Sequence, residues 1–179
     1  MKKTQTTETI WTIGHSTRGI EEFIGLLKAH RIETLADVRH FPGSKRYPHF
    51  GKEALAGALR GAGIDYQHFP ELGGRRKVLA DSHNTAWRNE AFRGYADYME
   101  TPEFAAGIAR LREVASHSRT AIMCAEAVWW RCHRSLIADW LKAEGVQVLH
   151  IMDARKAEPH PYTGAARIEQ GRLTYRELL

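Results

Sequence analysis

The residues Cys124-Ala125-Glu126 and Arg131-Cys132-His133-Arg134 put both cysteines of the chain beside a carboxylate, a histidine and two arginines. Apolar packing alone does not call for that set. Three chemistries fit it. In the first, Cys124 is a nucleophile: a cysteine between a strand end and a helix start, near arginine or histidine, has its thiolate stabilised. His133 or His15 would then act as base and Asp37 would orient a histidine. In the second, Cys124, Cys132 and His133, with Glu126 or His15, bind a soft or borderline metal. Against this, the spacing matches no standard zinc module, and adjacent Cys132 and His133 seldom both reach one ion. In the third, the cysteines are core, since Cys132 lies four residues before Leu136 and eight before Trp140.

The arginines admit a parallel choice. Arg131 and Arg134 fall in the expected first turn of a helix, where free backbone N–H groups favour anions. They would hold a phosphate or carboxylate, or pair with Glu126 or Asp37. A tyrosine-phosphatase Cys-x5-Arg loop is absent, because Arg131 lies one position too far from Cys124 and no glycine intervenes. Rhodanese-like sulfur transfer is only an analogy of strand, cysteine and helix. There is no Gly-rich dinucleotide fingerprint and no Walker lysine, so NAD, FAD and ATP are not indicated.

The elements that must position these groups alternate. Short β-rich runs at Thr9–Ile13, Thr34–Arg39, Ile64–Phe69, Thr120–Met123 and Val146–Ile151 predict five strands. Between them, helical stripes run through Ile20, Phe23, Ile24 and Leu27, through Leu55, Ala58 and Leu59, and through Phe92, Tyr95, Ala96 and Met99. Phe104, Ile108 and Leu111 continue the pattern after a Thr101-Pro102-Glu103 cap, and Leu136, Ile137, Trp140 and Leu141 close it. Residues 73–89 show no period, and long connections of that kind are commonly functional loops. Residues 166–175 predict a small hairpin turning at Gln170-Gly171. The expectation is an α/β fold: an open, mostly parallel sheet of about five strands with helices on both faces. It reads as a single domain over 1–179, with a core at 9–153 and a C-terminal tail or hairpin at 154–179.

In such sheets ligands bind outside the carboxyl ends of the strands. Those ends carry His15-Ser16, Asp37 with Arg39, Gly73-Gly74-Arg75, Cys124 with Glu126, and His150 with Asp153. Parallel strands would bring these groups to one rim. His160 reads most simply as a surface histidine. Trp87-Arg88, Phe92-Arg93 and Tyr95 interleave rings and cations as single-stranded nucleic-acid platforms do, although Phe92 and Tyr95 also fit a buried helical face.

Composition narrows the classes. The 179 residues carry 43% hydrophobic and 26% charged side chains, as soluble globular proteins do. The net charge is +5, and 18 of the 26 basic residues are arginine, which favours a phosphate- or carboxylate-bearing partner. The bland alternative is a solubilising basic surface. No apolar run approaches the roughly 20 residues that span a bilayer, and no signal-peptide core follows Lys2-Lys3. Two cysteines are too few for a disulfide framework, which points to a reducing cytoplasm.

Gly14-His15-Ser16, Asp37-Val38-Arg39, Leu72-Gly73-Gly74, Phe92-Arg93-Gly94-Tyr95-Ala96-Asp97-Tyr98 and Cys124-Ala125-Glu126 with Cys132-His133-Arg134 resemble the bacterial family called domain of unknown function 488. The resemblance runs from about Thr12 to the His160-Pro161 tail. It implies a cytoplasmic α/β domain whose shared site is built from these motifs, and it carries no substrate, reaction or cofactor. The leading expectation is a hydrolase or transferase acting on a phosphorylated, nucleotide or nucleic-acid substrate. Cys124, Glu126, His133, His15 and Asp37 would carry the chemistry, while Ser16, Arg39, Gly73, Gly74, Arg131 and Arg134 would hold the anion. The alternatives are a non-catalytic nucleic-acid or nucleotide-binding module relying on Arg75, Arg76 and Arg88, and a metal-binding protein using Cys124, Cys132 and His133.

Overall fold

A computed structural model describes residues 7–177. Five strands, β1 (Thr9–Gly14), β2 (Thr34–Asp37), β3 (Asp65–His68), β4 (Thr120–Cys124) and β5 (Gln147–Ile151), run parallel. A sixth, β6 (Ala157–Pro159), pairs antiparallel with β5, giving the order β3-β2-β4-β1-β5-β6. β7 (Arg167–Glu169) and β8 (Arg172–Thr174) form a separate hairpin. The five helices are α1 (Ile20–Ala29), α2 (Lys52–Gly61), α3 (Glu90–Tyr98), α4 (Pro102–His117) and α5 (Arg134–Ala143).

The sequence explains much of this. Every residue of β4 is buried; a strand covered on both faces needs a continuous apolar run rather than alternation. Thr101 caps α4 by accepting from the Phe104 N–H, with Pro102 in the first turn, and Asn89 caps α3 through the N–H groups of Ala91 and Phe92. The hairpin turns at Gln170 and Gly171, with φ of 49° and 75°. Two consecutive positive φ angles suit a tight two-residue turn.

Side chains alternate between two layers. Ile13, Leu35 and Met123 pack under Phe23 and Leu27 of α1 and Leu55 and Leu59 of α2. Ile10, Ala36, Ile122 and Val148 pack under Tyr95, Phe104, Leu111, Leu136 and Ile137 of α3, α4 and α5. Each such fully buried side chain contributes roughly 1.5–3 kcal/mol. The chain leaving β1 passes β4 to reach β2, with α1 on one face. The chain leaving β4 passes β1 to reach β5, with α5 on the other. Connections that part in opposite directions open a crevice at the carboxyl ends of β1 and β4.

Two features were not in the sequence reading. β6 is an edge strand, and an edge tolerates Pro159, which has no N–H to give to a ladder. Residues 73–89 form no helix or long strand but are pinned: Asp97 accepts from the Leu79 N–H (2.9 Å), Ser82 Oγ (2.6 Å) and Asn84 Nδ2 (2.7 Å). No helix among the described residues is long and apolar enough to cross a membrane.

Candidate functional site

The crevice between β1 and β4 opens into a cleft of about 700 Å³. Its floor is held by main-chain bonds that prolong the sheet: the His15 N–H donates to Cys124 O and the Ser16 N–H to Ala125 O, both at 3.0 Å, and the Val38 N–H donates to Met123 O at 3.1 Å. The chain crosses itself closely here. A Cβ at Gly14 would lie 1.7 Å from Glu126 O, so only glycine lets the loop after β4 lie over the end of β1. Behind the wall that carries His40, a Cβ at Gly73 would lie 2.7 Å from His40 Cα.

The two thiols are unlike. Both are free, buried and on the cleft wall. Cys124 donates to Glu126 O (3.8 Å). Burial pushes its thiol well above the ordinary value, and hydrogen bonding to Cys132 adds to the effect. Burial opposes ionisation of Cys132 as well. There, however, the hydrogen bond from Cys124, the Arg134 charge and the Arg134 backbone N–H (3.4 Å) outweigh it, so this thiol falls below its ordinary value. The Arg134 amide and charge thus favour a thiolate at Cys132 over one at Cys124.

His133 stands beside it. Its Nε2–H donates to Val38 O at 2.7 Å, which leaves Nδ1 as the acceptor, 3.5 Å from Cys132 Sγ. Burial lowers the His133 pKa, so the ring is neutral near pH 7. A Cβ at Gly74 would press to 3.0 Å on the same Nδ1. A glycine there keeps the nitrogen's approach free.

The Asp37-Val38-Arg39 motif forms the neighbouring wall. The Asp37 carboxylate is fully buried and accepts from Arg39 Nε (2.9 Å), Arg39 Nη2 (2.7 Å) and Tyr66 OH (2.6 Å). Burial opposes the Arg39 charge, yet the forked bonds to Asp37 raise its pKa further. Arg39 Nη1 also donates to Phe50 O (2.8 Å). His15 stacks on Phe50 with ring centroids 4.2 Å apart, and burial lowers its pKa. The Tyr66 phenol is pushed up, first by burial and then by the Asp37 charge it donates to.

The cleft thus receives His15, Ser16, Arg39, Gly74, Cys124, Glu126, Arg131 and His133, all expected from the sequence. Asp37, Gly73 and Arg134 stand behind its walls. Asp37 orients Arg39 rather than a histidine. Arg131 belongs to a 3₁₀ turn, Trp129–Arg131, and not to the first turn of α5, because Cys132 is extended (φ −139°, ψ 156°) and the helix starts at Arg134. Arg134 is 2% exposed, with its terminal nitrogens on Thr12 and protein carbonyls, and it stands enclosed behind the cleft wall. Arg76 is likewise occupied, by Gly73 O, Pro70 O and the Tyr98 ring. His160 is no surface residue: it is 3% exposed and bonded to Asp139.

The sequence reading did not single out His40, Phe41, Arg46 and Tyr47, which close the cleft from the loop after β2. The basic and aromatic content of that proline- and glycine-broken loop was the available signal. Cys132, Arg46, Arg75 and Arg131 join the wall while no ion pair engages any of these arginines among the described residues. Among the described residues no group of three or more His, Cys, Asp and Glu is placed to hold a metal ion, so Cys124, Cys132 and His133 form no ligand set.

Fold and cleft define a class: a mostly parallel α/β protein with a cleft at its topological switch point, walled by thiol, imidazole and guanidinium groups. Within that class the chain belongs to the family described as domain of unknown function DUF488, whose model matches residues 19–141. Gly14-His15-Ser16 and the His160 tail lie outside the matched stretch. No curated protein and no solved structure gives a significant match.

Proposed function

We propose that the chain is an enzyme, a transferase or hydrolase, that holds a phosphorylated or nucleotide-like anion in this cleft and attacks it with Cys132. One observation carries the reading: Arg46, Arg75 and Arg131, none engaged by a carboxylate among the described residues, line the same cleft as a thiol 3.5 Å from an imidazole nitrogen that is placed to accept its proton. Guanidinium groups without acidic partners favour phosphate or carboxylate. As Cys132 attacks, its proton passes to His133 Nδ1 and then to the leaving group. Water or a second acceptor returns a proton to Nδ1, attacks the Cys132 adduct and frees the sulfur. Cys124, raised above the usual thiol range, stays protonated with its S–H on Glu126 O, while the Arg134 amide and charge stabilise a thiolate at Cys132. The nucleophilic role expected of Cys124 moves to its neighbour. A reducing cytoplasm is the compartment in which both thiols would stay free.

The test is calorimetric binding of inorganic phosphate and of adenosine 5′-monophosphate, together with peptide-mapped iodoacetamide labelling. Binding by the native chain, loss of it in a folded Arg46→Gln/Arg75→Gln/Arg131→Gln variant, and protection of Cys132 by the bound anion are expected. No binding of either probe, or binding unchanged in the triple variant, overturns the reading.

A second reading, a non-catalytic single-stranded nucleic-acid module, is favoured by Phe41 and Trp130, 67% and 51% exposed near the cleft. Arg75 lies 6.0 Å from the Phe41 ring centroid. Such a module predicts oligonucleotide affinity that falls steeply with salt and is indifferent to Cys132→Ser.

A further inference from the structure

Arg134 is a guanidinium almost wholly enclosed, and among the described residues no carboxylate lies within 4.0 Å of it. Its Nη2 donates to Glu126 O (3.0 Å) and Ala127 O (3.5 Å), and its Nε has no partner among the described residues. A buried cation left uncompensated is costly, so its counter-charge has to be found. Nη1 supplies the lead: it donates to Thr12 Oγ1 at 3.3 Å.

From Thr12 a chain of bonds crosses to the far side of β5. Thr12 and His150 are register partners on β1 and β5, and Thr12 Oγ1 lies 2.5 Å from His150 Nδ1. His150 Nε2 lies 2.8 Å from His160 Nδ1, and His160 Nε2 lies 2.8 Å from Asp139 Oδ1. The Asp139 carboxylate also accepts from the Thr163 N–H (3.0 Å), Thr163 Oγ1 (2.6 Å) and Tyr175 OH (2.8 Å). All four partners can donate to it, which makes the carboxylate the acceptor end of the chain. One self-consistent set of proton directions with neutral rings then runs back from it. His160 carries its proton on Nε2 and accepts at Nδ1; His150 therefore carries its proton on Nε2 and accepts at Nδ1; Thr12 donates there and accepts from Arg134. Trp129, stacked on His150 at 4.6 Å and edge-on to His160, holds both rings.

We propose that Asp139 is the remote counter-ion of Arg134, joined to it by His160, His150 and Thr12, and that these four are positioning residues for the cleft. The guanidinium so held ties down the Glu126 carbonyl, which also accepts the Cys124 thiol (3.8 Å), while its own backbone N–H meets Cys132 Sγ. The chain thereby fixes the loop and the positive charge that face the two sulfurs. The proposal rests on the assignment of Cys132 as the ionising thiol. Cys132 is faced by Cys124 from β4, Tyr95 from α3, and His133 and Arg134 at the start of α5.

Two measurements test it. In the native chain, imidazole ¹⁵N correlations at neutral pH should show His150 and His160 both neutral with the proton on Nε2. An Nδ1–H form or an imidazolium at either ring overturns the directed chain, whatever the thiols do. Second, the pH profile of iodoacetamide labelling at Cys132 is compared in the native chain, Thr12→Val and Thr12→Ser. Valine keeps the shape and strand preference of threonine but breaks the link, so labelling at neutral pH should fall about tenfold with its titration moved upward. Serine should restore the native profile. A folded Thr12→Val with the native profile overturns the coupling. Should native Cys132 itself titrate as an ordinary thiol, the catalytic reading fails, and the tautomers decide the chain separately.

Discussion

The cleft and the buried polar chain use the same residue types to opposite ends. In the cleft, Arg46, Arg75 and Arg131 have no carboxylate partner among the described residues, and His133 turns Nδ1 to Cys132 as an acceptor. Behind β5, Asp139 accepts four donors and His150 and His160 are bonded at both ring nitrogens. One region stores unused bonding capacity beside solvent, as a binding site must. The other consumes nearly all of it away from water, the Arg134 Nε excepted, where an unmet polar group is expensive. Arg134 joins them, with its guanidinium in the chain and its backbone N–H on Cys132.

Removing one member of each region sharpens the contrast. Asp139→Ala strips the carboxylate from His160, Thr163 and Tyr175 and should cost about 3–5 kcal/mol in urea unfolding, the usual penalty for breaking a buried charged network. A loss under about 1 kcal/mol would mean that the network is not closed.

Acidification should be next in size. Burial lowers His15, His133 and His150, the last to about 2 with help from His160 and Arg134. Each unfolded histidine takes up a proton near pH 6.5 that its folded counterpart refuses. Their contribution is whole above about pH 6.5 and is lost as the pH falls toward each folded value, by up to about 1.4 kcal/mol per pH unit per histidine. Urea midpoints at about pH 7.5, 6 and 5 measure this, and a flat series would break the assignment of neutral rings.

Gly14→Ala comes third. The methyl group would drive Glu126 O away from its 1.7 Å position, at about 1–3 kcal/mol of overpacking. Labelling of Cys132 should change with it, since the displaced carbonyl also binds Arg134 and Cys124. The smallest effect on stability belongs to the Arg46, Arg75 and Arg131 neutralisations, within about 0.5 kcal/mol each. These should nevertheless abolish anion binding. A cleft variant that unfolds the protein, or an Asp139 variant that spares it, would erase the distinction between the two regions.

The strands and helices were legible because burial leaves a pattern: continuous β-rich or apolar runs in Ile10–Ile13 and Thr120–Met123, and a period of 3.6 in Phe92–Met99. The caps at Asn89 and Thr101 and the turn at Gln170-Gly171 were local chemistry and equally readable. One rule about parallel sheets pointed to a rim, and His15, Arg39, Gly74, Arg75, Cys124 and Glu126 do line the cleft; His150, expected on the same rim, is instead buried against Thr12, and Asp153 does not line the cleft. What stayed hidden depended on partners distant in the chain. Nothing local separates Cys124 from Cys132. The Arg134 charge and the α5 amide favour ionisation of the second, and only packing brings them together. His160 looked like a tail residue until β6 turned it under Trp129 against Asp139. Sequence periodicity fixes which residues are buried, because water is the common reference for all of them. Charge state and hydrogen-bond direction depend on which few groups meet after burial, and that was decided by the tertiary structure alone.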